Sequence, residues 1–196
     1  LSMGKVLESV EALGTCIALR PESPWAYSSR AFALLQLKRF AEAERDVDKA
    51  VILNPKQRPS QLNRGVIYLQ QKKYQQAMAD FAAVLEPPQE QRLIEGAYYL
   101  GLAHSQLGDN KNALKEFNAV VAANPRMRPV YYYRAVIHFA NGNDELGLED
   151  LDTYIANGGQ IDRDGWKIHG VHGHLLRAIH SELPSARRLS LIHISE

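Results

Sequence analysis

Residues 30–47 read Arg30-Ala31-Phe32-Ala33-Leu34-Leu35-Gln36-Leu37-Lys38-Arg39-Phe40-Ala41-Glu42-Ala43-Glu44-Arg45-Asp46-Val47. Ala31, Leu34 and Leu35, then Ala43, Val47, Ala50 and Val51, follow the i, i+3, i+4, i+7 spacing of two amphipathic helices. Lys38-Arg39 separates them as a tight turn. The stretch then repeats. Arg30-Ala31 returns as Arg64-Gly65, Phe40 as Tyr74, Ala43 as Ala77 and Val47 as Phe81, each 34 residues on. Leu100-Gly101, Ala113 and Phe117 follow after 36, the extra length fitting the loop Pro87-Pro88-Gln89-Glu90. Arg134-Ala135, Gly147 and Leu151 come 34 residues later again.

Lys72-Lys73, Gly108-Asp109 and Gly142-Asn143 take the turn position of Lys38-Arg39. Pro55 and Pro125 follow second helices, and Pro24 and Pro129 sit at helix starts, where the missing N–H removes no helical bond. Ala31, Gly65, Gly101 and Ala135 are expected to face Ala43, Ala77, Ala113 and Gly147, letting paired helices approach to about 8–10 Å. Asp46, Asp80, Glu116 and Asp150 share one repeat position. Arg30, Arg64 and Arg134 share another, with Leu100 the exception. A guanidinium beside a carboxylate on the next helix would pair in fork geometry and fix helix docking.

On these residues the chain resembles the tetratricopeptide repeat (TPR) family, whose helix–turn–helix unit carries small residues and aromatics at such offsets. Asn110 and Asp144 depart from it where an aromatic is usual, and Tyr154 where a small residue is usual. The resemblance implies an all-α, right-handed superhelical solenoid of antiparallel helix pairs. Repeats are expected at 24–57, 58–93, 94–127 and 128–161, with 1–23 as the second helix of a truncated preceding repeat and 162–188 as the first helix of a fifth. The tail Leu189-Ser190-Leu191-Ile192-His193-Ile194-Ser195-Glu196 matches a translated sequencing-library transposon adapter and is expected to be non-native, so that the natural chain continues past Arg188.

The composition of this 196-residue chain agrees with a folded array. Apolar residues make up 45% and charged residues 23%, which is ordinary for a packed protein. Lys+Arg 23 against Asp+Glu 22 leaves no field of one sign, so neither nucleic acid nor an anionic membrane is an expected partner. The single cysteine, Cys16, rules out an internal disulfide framework and is expected to be a buried structural thiol. No phosphate-binding loop, dinucleotide fingerprint, zinc-protease or nucleophile-elbow motif occurs, so neither an enzyme nor a cofactor is expected. Asp162-Arg163-Asp164-Gly165 begins like a calcium loop, but its glycine comes too early. His169, His172 and His174 form the one metal-like cluster; two can share a helix face, but nothing completes a zinc set. Metal binding there is the remote alternative, and a polar face is the expectation. His104 and His138, at one repeat position, are expected to pack between helices.

Stacked repeats present their first helices on an inner face. The resemblance places Ser28, Phe32 and Leu35 there in the first repeat. By the same offsets Leu62, Val66 and Leu69 follow in the second, Tyr98, Leu102 and Ser105 in the third, and Tyr132, Val136 and Phe139 in the fourth. Tyr99, Tyr133, Gln36, Gln70 and Gln106 border them. The expected site is therefore a peptide-binding groove of Phe32, Leu35, Gln36, Leu62, Asn63, Leu69, Gln70, Tyr98, Tyr99, Gln106, Tyr132, Tyr133 and Phe139. The expected partner is a protein or peptide, held by aromatics with polar tips. An alternative is a scaffolding or regulatory segment of a larger protein whose catalytic domain lies outside this sequence. Family members that bind chaperone tails clamp a terminal carboxylate with Lys and Asn. Of the corresponding Ser28, Phe32, Asn63, Glu95 and Tyr99 only Asn63 matches, so such a tail is not the expected ligand.

Overall fold

A computed structural model describes residues 3–86 and 94–159. Among the described residues there are nine helices and no strand: α1 (Met3–Leu19), α2 (Pro24–Gln36), α3 (Phe40–Leu53), α4 (Arg58–Gln70), α5 (Tyr74–Leu85), α6 (Ile94–Gln106), α7 (Asn110–Ala123), α8 (Arg128–Ala140) and α9 (Asp144–Ala156). Residues 1–109 and 110–196 form two compact units, whose described parts carry α1–α6 and α7–α9. The expectations for 162–188, for the adapter-like tail and for the His169, His172, His174 cluster lie outside the described residues.

Local chemistry sets the helix ends. Prolines occupy the first turns of α2, α4 and α8, and Ser23 caps α2 by accepting from the Ala26 N–H at 3.4 Å. Each tight turn closes the preceding helix with the same pair of backbone bonds. Lys38 N–H donates to Leu35 and Arg39 N–H to Leu34; Lys72 and Lys73 do so to Leu69 and Tyr68, Gly108 and Asp109 to Ser105 and His104, and Gly142 and Asn143 to Phe139 and His138. This is the Schellman closure, which needs a left-handed residue one place past the C-cap. Gly108 and Gly142 supply it freely at φ 77° and 75°, whereas Lys38 and Lys72 are forced to φ 58° and 61°.

In the first unit α2 packs on α3, α4 on α5, and each pair on the helix before it; α2 also touches α4, and α4 touches α6. Ala31, Leu34, Ala43, Val47 and Ile67 form one buried cluster, with Val10 and Leu35 against it. Val66, Tyr68, Ala77, Phe81, Leu100 and Ala103 form the next. In the second unit α8 packs on both α7 and α9. There Ala135, Ile137, Phe139, Leu148 and Leu151 are buried.

Close approach depends on which residue is large. In the first pair Ala31 accompanies Val47, both buried. In the second, Phe81 replaces the valine and Gly65 the alanine, and a Cβ at Gly65 would collide with the Phe81 ring. In the second unit the exchange runs the other way. Phe139 takes the place of Leu35 and Leu69, and Gly147 takes the place of Ala43 and Ala77. A Cβ at Gly147 would lie 2.7 Å from the Phe139 ring. Core volume is conserved across the helix pair.

The arginine–aspartate rows pair as fork-like bridges. Arg30 donates to Asp46 through Nε and Nη2 at 2.6 and 2.7 Å, and Arg64 to Asp80 at 2.8 and 2.7 Å. Arg134 donates to Asp150 in the same way. The three aspartates are buried, and their hydrogen bonds hold the guanidinium pKa values above the ordinary arginine range against the opposing effect of burial. Each carboxylate thereby has its charge met inside the helix pair. Cys16 is partly exposed rather than buried, and Val6 is the buried residue of α1.

Candidate functional site

The first unit presents α2, α4 and α6 in succession, since α4 touches both of the others. Asn63 on α4 fixes one contact by donating from Nδ2 to the buried Ser28 hydroxyl of α2 at 2.9 Å. Its amide is thus a strut between neighbouring first helices. Phe32, one turn from Ser28, is 45% exposed, a large solvent fraction for an aromatic ring. Gln36, Gln70 and Gln106 are exposed at the ends of α2, α4 and α6, and the Tyr74 hydroxyl reaches Gln106 Oε1 at 3.4 Å. Leu35, Leu62, Leu69 and Tyr99 are partly buried and packed against the core cluster around Phe81. Phe32 is exposed, and Tyr98 is partly buried like these residues.

Aromatic rings run from this core outward. Tyr99 stacks on Phe81 with centroids 5.6 Å apart, and Tyr98 meets Tyr99 edge-on at 5.2 Å. The second unit repeats the arrangement by itself. Tyr133 stacks on Phe117 at 6.3 Å, Tyr132 meets Tyr133 edge-on at 5.6 Å, and Tyr154 lies against Tyr132 at 5.7 Å. In each unit the inner tyrosine is anchored by a fully buried phenylalanine and the outer one stands beside it, partly exposed.

Phe139 is not part of such a surface. It is 1% exposed and fills the space that Gly147 leaves open, so the expectation that it anchors a ligand is corrected: it is a core residue. The other expected residues of the first unit lie on α2, α4 and α6, while Tyr132 and Tyr133 belong to α8 of the second unit. Tyr154 was not among the expected residues. Its bulk at a usually small position is the sequence signal that could have found it.

Other polar side chains of the described residues join one helix to the next. Glu44 of α3 accepts from Lys73 Nζ at 2.7 Å and Gln71 Nε2 at 2.9 Å, and the lysine bond holds its carboxyl below the ordinary range. His138 lies 3.8 Å from Asp150, and burial pushes its pKa down despite that charge. Among the described residues no group of three His, Cys, Asp or Glu side chains could hold a metal, and no helix is long and apolar enough to cross a membrane.

Paired amphipathic helices at a 34-residue period, closed by one repeated turn, match a known family over more than half the chain. The tetratricopeptide repeat profile covers residues 30–91 and 98–160. The chain belongs to the tetratricopeptide repeat family. It is 33% identical over 105 residues to human tetratricopeptide repeat protein 13, an alignment covering 54% of this chain and 12% of that protein. The chain therefore spans about an eighth of that relative's length. Among solved structures it is similar to Pseudomonas aeruginosa PilF, with TM-score 0.75 and 16% identity over 97% of this chain and 90% of the other. It is also similar to YrrB, described as a TPR protein with an unusual peptide-binding site, with TM-score 0.66 and 19% identity over 94% and 91%. At these identities the structures show the shared all-helical fold. TPR arrays are protein–protein interaction scaffolds, and the family is generally non-catalytic.

Proposed function

We propose that this TPR array binds a peptide segment of a partner protein along the face made by α2, α4 and α6. The observation that carries the reading is the exposed Phe32 ring beside a floor of packed Leu35, Leu62, Leu69 and Tyr99, edged by Gln36, Gln70 and Gln106. An apolar side chain of the peptide would cover Phe32 and Tyr98, while the glutamine amides hydrogen-bond its backbone. A rigid floor lowers the ordering cost of binding, since the tyrosines are already stacked. In the second unit, Tyr132 with Tyr133 and Tyr154 offers an aromatic patch of the same character.

The test uses a peptide selected from a random display library on the wild-type chain. Phe32→Ala and Tyr98→Ala should each weaken that peptide at least tenfold, whereas Lys49→Ala on α3 should leave it unchanged. Equal affinity for all three variants would remove this face from the binding function.

A further inference from the structure

Each bridging arginine keeps a third donor, Nη1, and the preceding helix decides what meets it. Arg134 Nη1 donates to Asn118 of α7 at 2.9 Å, and Arg64 Nη1 faces Asp48 of α3 at 3.5 Å. Both acceptors lie 16 residues before their arginine. Sixteen residues before Arg30 stands Gly14 of α1, which has no side chain to offer. One turn earlier the repeat substitutes again: Val10 stands where Glu44, the partner of Lys73, stands 34 residues later. The first helix pair thus lacks two acceptors that its successor has.

A cavity of about 230 Å³ lies beside Arg30 and Val10, lined also by Leu34, Arg39, Glu42, Arg45 and Asp46. Its charge is unbalanced. Asp46 is satisfied by Arg30 through Nε and Nη2, and Glu42 by Arg39 through two bonds of 2.7 Å. Arg45 then leaves one positive charge in excess, and Arg30 and Arg39 each keep Nη1. Val10 and Leu34 supply an apolar wall, while Arg39 and Glu42 form a lip more than two-fifths exposed.

We propose that the cavity between α1, α2 and α3 is an oxyanion site, in which a carboxylate of an acidic side chain or a free phosphate takes the acceptor position that Asp48 and Asn118 fill for the later arginines. Guanidinium forks suit such groups, and a partly enclosed cavity strengthens the attraction. An acidic residue would rest its methylenes on Val10 and Leu34; phosphate would use the guanidinium groups alone. The site is separate from the α2–α4–α6 face and stands or falls independently of it.

The probes are acetyl-glutamyl-amide, its uncharged counterpart acetyl-glutaminyl-amide, and inorganic phosphate, each titrated at millimolar concentration into the ¹⁵N-labelled chain. The readouts are the Arg30 Nε–H resonance and the thermal midpoint. A saturable shift with a raised midpoint is expected from at least one anion and not from the glutaminyl compound. A response to acetyl-glutamyl-amide alone identifies an acidic side chain as the occupant, and a response to phosphate alone identifies a free anion. Gly14→Asp places a carboxylate beside Arg30 in the chain itself; it should raise the midpoint without ligand and abolish the response. Gly14→Ala, whose Cβ would sit 3.7 Å from Arg30 Nη1, should keep it. Silence toward both anions, an equal response to acetyl-glutaminyl-amide, or an undiminished response in Gly14→Asp would overturn the proposal.

Discussion

Arg64 and Asp80 are joined by two parallel hydrogen bonds, Nε to Oδ2 at 2.8 Å and Nη2 to Oδ1 at 2.7 Å, across the α4–α5 pair. The same guanidinium faces Asp48 on α3 at 3.5 Å, so one side chain connects three helices. Arg64→Leu strands a buried carboxylate and should destabilise the chain by about 3 kcal/mol, read as a lower urea midpoint. Adding Asp80→Ala removes the stranded charge and should recover at least half of the loss. A double variant as unstable as the single one would show that the pair acts by packing alone.

The turn lysines carry strain that glycine relieves. Lys38→Gly and Lys72→Gly keep the Schellman bonds and remove the left-handed penalty, so each should stabilise by about 1 kcal/mol. Gly142→Ala should lose a comparable amount. Denaturant midpoints of the three variants decide the matter, and a destabilised Lys38→Gly would mean that lysine side-chain contacts outweigh backbone strain.

The exchanged glycines should behave as halves of a pair. Gly65→Ala drives a methyl into the Phe81 ring and should cost about 1–3 kcal/mol, with Phe81→Val restoring much of it by recreating the Ala31–Val47 arrangement. Gly147→Ala should likewise be rescued by Phe139→Leu. Additive losses in these double variants would rule out the volume exchange.

His138 adds a pH dependence of defined sign. Burial lowers its folded pKa below the usual 6.5, with Asp150 opposing and Arg134 assisting. The unfolded chain therefore binds the proton more readily. The stabilising contribution is complete above about pH 6.5 and is lost as pH falls through the lower folded value. Thermal midpoints between pH 8 and pH 5 should fall less in His138→Gln than in the wild type. Parallel curves would assign the acid sensitivity to other groups.

What was legible in the sequence was whatever repeats. The alternation of small and apolar residues set the helix pairs, Lys38, Lys72, Gly108 and Gly142 marked the turns, and the arginine and aspartate rows announced their bridges. Position-by-position transfer failed where two departures compensate each other. Phe139 occupies an offset where Leu35 and Leu69 line the face, yet Gly147 opens the core beneath it and the ring turns inward. Reading Phe139 and Gly147 together, as one exchange of volume, would have found it. Gly14 and Val10 are illegible in the sequence for a related reason: they signal by what they omit, and the omission shows only beside Asp48 and Glu44, which meet Arg64 and Lys73.

The most direct test of the proposed binding face pairs affinity with stability in Phe32→Ala, Tyr98→Ala and Phe139→Ala, using one display-selected peptide. Phe32→Ala should stay within about 1 kcal/mol of wild-type stability and Tyr98→Ala somewhat further from it, while each weakens the peptide by about 2 kcal/mol, roughly 30-fold. Phe139→Ala should lose about 3–5 kcal/mol of folding stability and bind normally per folded molecule. Wild-type affinity in folded Phe32→Ala and Tyr98→Ala would contradict the account.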